Sequence, residues 1–159
     1  MRYRDQGIAR GAILLAKHGG QLTLLRRLAA LLAEEAPRRL CLQEWDGLVP
    51  VPLHWMRRWR RGFNQAAVLA RAVGRRHGIP VLGRGLRRVR ATPLQHGDVE
   101  DRRRNVRDAF AAAGARIPGR RLLLVDDVFT TGATADACAH ALRQAGAADV
   151  GVLTLARVE

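Results

Sequence analysis

Apolar positions in the first part of the chain recur every three or four residues. From about Ile8 to Lys17, Ile8, Gly11/Ala12 and Leu15 fall on one helical face, and Gly19-Gly20 breaks the pattern. A second helix is predicted from Leu22 to Ala36, with Leu24, Leu25, Leu28, Leu31 and Leu32 on its apolar side and Pro37 closing it. The period then changes. Gly47-Leu48-Val49-Pro50-Val51-Pro52-Leu53 is an apolar run of strand length. Its two prolines cannot donate to a ladder, so the strand is expected to stop at Val49 or Val51 and become a shaped loop. Asn64 to His77 reads as a helix with Val68, Leu69, Ala72 and Val73 inward and Gly78 as its stop. Ile79-Pro80-Val81-Leu82 is a short strand, and Leu86 to Val89 is a candidate for another.

Ala91 to Arg107 is polar and charged, and reads either as a mobile functional loop or as a solvated helix. Ala109-Phe110-Ala111-Ala112 resumes an apolar pattern. Pro118-Gly119 marks a turn, and Arg121 to Val125 is a buried strand ending in Asp126-Asp127. Val128-Phe129 and the loop Thr130-Thr131-Gly132-Ala133-Thr134 follow, then a helix to about Ala145, stopped by Gly146, and a last strand from Asp149 to Ala156. Strand, loop, helix and strand in repetition predict an α/β fold, a mostly parallel sheet flanked by helices. Such sheets bind ligands at the carboxyl ends of their strands. The double-proline loop and the Asp-Asp segment both fall there.

The chain has 159 residues, enough for one core, and is read as a single domain with a helical N-terminal part (1–45) and a core (46–159). Aromatics are only 4%, so that core rests on aliphatic side chains. No apolar run nears the roughly 18 residues that span a bilayer, and no signal-peptide core is seen, so no membrane insertion and a cytoplasmic location are expected. Cys41 and Cys138 lack CxxC partners; both are expected to be reduced, Cys138 as a small core residue, and the two cannot build a zinc site. The formal net charge is +14, carried by arginine, since Lys17 is the only lysine. A polyanionic partner and a biased, arginine-rich composition both account for it. Arginines gathered on one face would favour the first, an even scatter the second.

The segment with the most chemistry is LLLVDDVFTTGAT, Leu122 to Thr134. Two adjacent carboxylates at the exit of an apolar strand repel each other, and a vicinal diol is a good partner for such a pair through charge-assisted hydrogen bonds. Thr130 to Thr134 adds hydroxyls, a glycine that lets the backbone approach, and N–H groups opening a helix, which suit a phosphate. The alternative is an ordinary strand-end turn before a helix. Neither a Walker A loop nor a GxGxxG fingerprint is present.

The segment resembles the phosphoribosyl-pyrophosphate motif of type I phosphoribosyltransferases, and most of the chain resembles the ComF family (GntX-like). The matching pieces are Lys17-His18-Gly19-Gly20, Val49-Pro50-Val51-Pro52-Leu53, Arg61-Gly62-Phe63-Asn64-Gln65, Thr92 to Gln95, Arg102 with Asn105, and VDDVFTTGAT. The Cys-rich zinc ribbon that often opens members of that family is not in this sequence. The resemblance implies a type I phosphoribosyltransferase fold with a small N-terminal helical hood. It implies that Asp126 and Asp127 hold ribose hydroxyls as the catalytic pair and that Thr130, Thr131, Gly132, Ala133 and Thr134 hold the 5′-phosphate. Pro50, Val51, Pro52 and Leu53 would form the pyrophosphate loop. Arg61, or Arg102 and Asn105 on a closing loop, would reach the pyrophosphate, and Asn64 and Gln65 would cap their helix or line the pocket. Mg²⁺ is expected on substrate oxygens, with no metal cage from the protein.

Two functions stay open. One is Mg²⁺-dependent phosphoribosyl transfer from phosphoribosyl pyrophosphate to an acceptor the sequence does not name. A glutamine-dependent reaction is not expected, for want of an N-terminal catalytic cysteine. The other, implied by the family's link to competence, is a DNA-uptake accessory that binds single-stranded DNA or a DNA-processing partner. Trp45, Trp55, Trp59 and Phe63 beside Arg57, Arg58, Arg60 and Arg61 would suit a single strand. An amphipathic element with buried tryptophans is the alternative for that stretch. The sequence does not settle the oligomeric state.

Overall fold

A computed structural model describes residues 22–53, 63–89, 109–114 and 116–157. Three parallel strands form the main sheet in the order β1 (Gly47–Pro50), β4 (Arg121–Phe129), β5 (Asp149–Arg157). Beside β1, Val81 makes a single parallel bridge to Leu48. The strand expected at Ile79–Leu82 is thus one bridge long, held by Leu48 N–H to Pro80 O at 2.9 Å and Leu82 N–H to Leu48 O at 2.8 Å. The strand expected at Leu86–Val89 exists as β2 (Leu86–Arg88). It pairs antiparallel with β3 (Phe110–Ala112) in a separate two-stranded ribbon.

The central strand shows why the sheet is covered on both faces. Leu122, Leu123, Leu124 and Val125 are all fully buried, as a strand between two helical layers must be. Alternation sends Leu123 and Val125 to a core shared with α1 (Leu22–Glu35) and α2 (Gln65–His77), through Leu25, Leu32, Leu69 and Val73. Leu122 and Leu124 go to a second core with α3 (Ala133–Gln144) and the ribbon, through Cys138, Leu142 and Phe110. β4 does not end at Val125. It pairs with β5 as far as Phe129 opposite Arg157, so Asp126 and Asp127 are strand residues.

The helix boundaries follow from local chemistry. α2 begins after Asn64, whose side-chain oxygen accepts from Ala66 N–H at 3.0 Å, and ends at Gly78, with φ +69°. α1 ends where Pro37 redirects the chain into a 3₁₀ turn, Ala36–Arg38. His77 Nε2 lies 2.7 Å from the Ala33 carbonyl oxygen, which fixes its proton on Nε2 and ties α2 to α1. At the amino end of the sheet, Arg121 donates to Glu44 at 2.9 Å, and its backbone N–H donates to Asp46 at 2.8 Å. That end is braced by exposed polar contacts. The carboxyl end holds the candidate site.

Candidate phosphoribosyl site

A recess opens at the carboxyl edge of β4 and β5, against the start of α3. Asp126, Thr130, Gly132, Ala133 and Thr134 line it, with Thr154 from β5. It encloses about 40 Å³, room for about three waters at ~10–15 Å³ each and so for a phosphate-sized group. β4 supplies Asp126 on the α3 side by the alternation that buries Leu122 and Leu124, and Thr154 stands opposite Asp126 in register. One Asp126 oxygen accepts from Asp127 N–H at 2.8 Å.

The loop that follows favours glycine at its turn. Gly132 has φ +80°, and a Cβ there would sit 2.9 Å from the Phe129 ring. This left-handed residue turns the chain straight into α3, with Asp136 N–H donating to Gly132 O at 2.8 Å and the N-cap glycine offering no capping side chain. Thr131 Oγ1 is 3.4 Å from Ala133 N–H and supports the loop. The α3 N-terminus therefore faces the recess with its partial positive charge, next to two threonine hydroxyls. Phe129 is held from its other side by the Arg157 guanidinium, 5.4 Å from the ring centre.

Asp127 is not in the recess. One residue further along β4, it continues the row Leu123–Val125 on the α1/α2 side. The double-proline loop continues β1 at the same edge, with the Val51 side chain in the α3-side core. Val51 N–H donates to Val125 O at 2.9 Å, and Asn64 Nδ2 donates to Val51 O at 3.0 Å. Asn64 thus caps α2 and pins the loop with one side chain. Of the residues expected to form a site, Asp126, Thr130, Gly132, Ala133 and Thr134 converge in one recess, Thr131 supports it without lining it, Asp127 lies on the other face of β4, and Pro50–Leu53 continues β1 beside it. Arg61, Arg102 and Asn105 lie outside the described residues, as do Trp55 and Trp59. Trp45 is part of the fold, stacked over Gly151 and under Arg121 at 5.4 Å from its ring centre.

Sequence reasoning missed Thr154 and Val152, which complete the recess from β5. A polar Thr154 between Leu153 and Leu155 was the available signal; only the strand register shows that it meets Asp126. Cys138 is buried in α3 beneath Asp126. Burial, and after it the Asp126 carboxylate, push its thiol well above the usual range, with Arg88 acting the other way. Among the described residues no three His, Cys, Asp or Glu side chains are grouped to hold a metal ion. No described helix is long and apolar enough to cross a membrane.

No family model matches the sequence. Individual relatives do. Competence protein F of Haemophilus influenzae is 40% identical over 136 residues, covering 84% of this chain and 59% of that protein. DNA utilization protein YhgH of Escherichia coli K12 is 40% identical over 134 residues, again 84% of this chain and 59% of the relative. Competence protein ComFC of Streptococcus pneumoniae is 33% identical over 141 residues, 89% of this chain and 60% of the relative. The chain belongs to the ComF family. It spans about three fifths of the length of these relatives.

Among solved structures, the glutamine phosphoribosylpyrophosphate amidotransferase from B. subtilis, complexed with ADP and GMP, superposes with a TM-score of 0.55 at 24% identity. The match covers 82% of this chain and 26% of that one. An allosteric regulatory enzyme of purine biosynthesis gives a TM-score of 0.52 at 26% identity, over 82% of this chain and 25% of that one. The fold of this ComF chain is that of the type I phosphoribosyltransferases.

Proposed function

We propose that the chain binds 5-phosphoribosyl 1-pyrophosphate, with the 5′-phosphate on the Thr130–Thr134 loop, the ribose hydroxyls on Asp126, and Asp127 on the other face of β4 toward the pyrophosphate. The observation that carries this is the convergence of Asp126, Thr130, Thr134 and the start of α3 in one phosphate-sized recess. The Pro50–Leu53 loop, tied to β4 and α2 through Val51 and Asn64, would receive the pyrophosphate.

Magnesium fits this donor set as a passenger of the ligand. The described residues offer oxygen donors and no protein cage, so phosphate oxygens and water would complete its shell, and it would neutralise the departing pyrophosphate. In the transfer, the bond between the anomeric carbon and the pyrophosphate oxygen breaks, and a lone pair of the acceptor forms the new bond. The protein's part is positioning and charge complementarity: carboxylates near a ring that gains positive charge, and N–H and hydroxyl donors on the phosphates. The acceptor class is left open. Titration calorimetry of phosphoribosyl pyrophosphate with Mg²⁺ into wild type and an Asp126→Ala/Asp127→Ala variant tests the site. Binding by wild type and none by the variant is expected; a folded wild type that shows no heat rules the site out.

A second reading rests on the relatives, which carry the names of competence and DNA-utilization proteins. On it the chain serves DNA uptake, through single-stranded DNA or a DNA-processing partner, and the recess senses a ligand. Among the described residues, the helical arginines gather on one layer, Arg26, Arg71, Arg75 and Arg76 around the seam of α1 and α2, against Arg143 alone on α3. A one-sided arginine cluster of this kind suits a polyanionic partner, so the +14 charge supports this reading. Fluorescence anisotropy with a labelled single strand tests it: affinity must fall steeply with salt.

A further inference from the structure

Gln65 is the buried polar side chain that the fold does not use. It is 3% exposed, and no other polar or charged residue among the described residues is as enclosed. Its Nε2 has no hydrogen-bond partner among the described residues. An enclosed donor without an acceptor is costly, and native folds keep few of them without a reason.

The position of Gln65 supplies one. It opens α2, and Leu69 and Val73 follow it at intervals of four residues. Both are fully buried against Leu48 and Val125 of the sheet. Gln65 therefore lies on the sheet-facing side of α2, one turn beyond the core toward the carboxyl edge. On β4 the row Leu123–Val125 leads to Asp127 at the same edge. Asn64, the residue before Gln65, binds the Val51 carbonyl and so ties the Pro50–Leu53 loop to the start of α2. A helix N-terminus, an enclosed amide donor and the end of β1 thus meet at the carboxyl edge of the sheet, beside β4.

We infer that Gln65 is a binding residue for the ligand, with its Nε2 donating to an oxygen of the pyrophosphate. This rests on the site proposed above and adds to it the residue that reads the leaving group. A donor beside a helix N-terminus suits an anion. Asp127 on the same side suits one that carries its own divalent cation. The amide stays desolvated in the free protein and gains its acceptor when the ligand arrives, so it discriminates in favour of a pyrophosphate-bearing ligand over the bare sugar phosphate.

Gln65→Met keeps the length and removes the donor. Thermal melting is expected to show a fold as stable as wild type or more so, because an unpaired buried donor is gone. Calorimetry with three probes, each with Mg²⁺, is expected to split. Affinity for phosphoribosyl pyrophosphate and for inorganic pyrophosphate falls about tenfold or more, the range for a hydrogen bond to a charged group. Ribose 5-phosphate stays within twofold. A Gln65→Met protein that binds all three like wild type, or loses ribose 5-phosphate equally, overturns the role of Gln65 and leaves the site standing. Wild type that binds none of the three overturns the site, and Gln65's role with it. A measurement on unmutated protein does not depend on how the variant folds: the Gln65 side-chain amide resonances must shift on adding magnesium pyrophosphate and stay put with ribose 5-phosphate. The reverse pattern contradicts the assignment.

Discussion

The two sides of the sheet each carry a hollow, and they differ in kind. On the α3 side the recess is about 40 Å³ and is lined by a carboxylate, threonines and a helix N-terminus. On the other side a groove of about 650 Å³ runs between α1 and α2, with an apolar floor that includes Ala29, Ala33 and Ala72 and a rim of Arg26, Arg71, Arg75 and Arg76. The larger hollow sets four arginines and Glu34 around an apolar floor; the smaller gathers a carboxylate, threonines and a helix start in a phosphate-sized space. Function follows convergence, which volume alone does not report. The recess is also where strand ends, a helix start and a left-handed glycine meet, while the groove is the seam between two helices.

The sharpest way to break this comparison is to disable the recess. Asp126→Ala removes a carboxylate that would accept from a ribose hydroxyl. Loss of charged hydrogen bonds of about 1.5–3 kcal/mol each predicts at least a tenfold to hundredfold fall in phosphoribosyl pyrophosphate affinity, read by calorimetry. The matching change in the groove, Arg71→Ala with Arg75→Ala, should leave that affinity within twofold. Next in size is Gly132→Ala. Its Cβ would sit 2.9 Å from Phe129 at a φ of +80°, so about 1–3 kcal/mol of stability should be lost, seen as a lower denaturant midpoint together with weaker binding. Asn64→Ala loses both the α2 cap and the tie to Val51, about 1–2 kcal/mol by the same assay.

How much of this was written in the sequence depends on which force fixed each feature. The buried strand Leu122–Val125, the helix over Asn64–His77 with its Gly78 stop and the helix ended by Pro37 were legible, because apolar period and backbone constraint act locally. The end of β4 was not. A charge at Asp126 looks like a strand exit, yet backbone hydrogen bonds to β5 continue through Val128 and Phe129 whatever the side chains carry. That miss has a consequence for the site. As strand residues, Asp126 and Asp127 face opposite sides, so the pair divides between the recess and the α1/α2 side. The partner of Leu86–Arg88 was likewise hidden, since β3 follows a long polar stretch and pairing across it leaves no local mark. Among site residues, Asp126 and Thr130–Thr134 were legible as a motif, while Thr154 needed the register.

The smallest predicted effect separates the two cysteines. Cys41 is exposed and Cys138 fully buried under Asp126. In native protein at neutral pH a thiol reagent should modify Cys41 and reach Cys138 only on unfolding, as mass spectrometry of the alkylated protein would show. Because folding raises the Cys138 pKa, the folded state keeps its full stability while the unfolded thiol is also protonated. It loses stability as pH rises beyond the ordinary thiol value of 9.0. Chemical denaturation at increasing alkaline pH should show this fall in wild type and less of it in Cys138→Ala.

The central claim is that the small recess, and not the wide groove, takes the sugar phosphate. A crystal structure of the chain with ribose 5-phosphate tests it most directly. The account predicts the phosphate against the N–H groups of Thr130–Thr134 and the ribose hydroxyls within hydrogen-bonding distance of Asp126. Ligand seated among Arg26, Arg71, Arg75 and Arg76, with the recess empty, would contradict it.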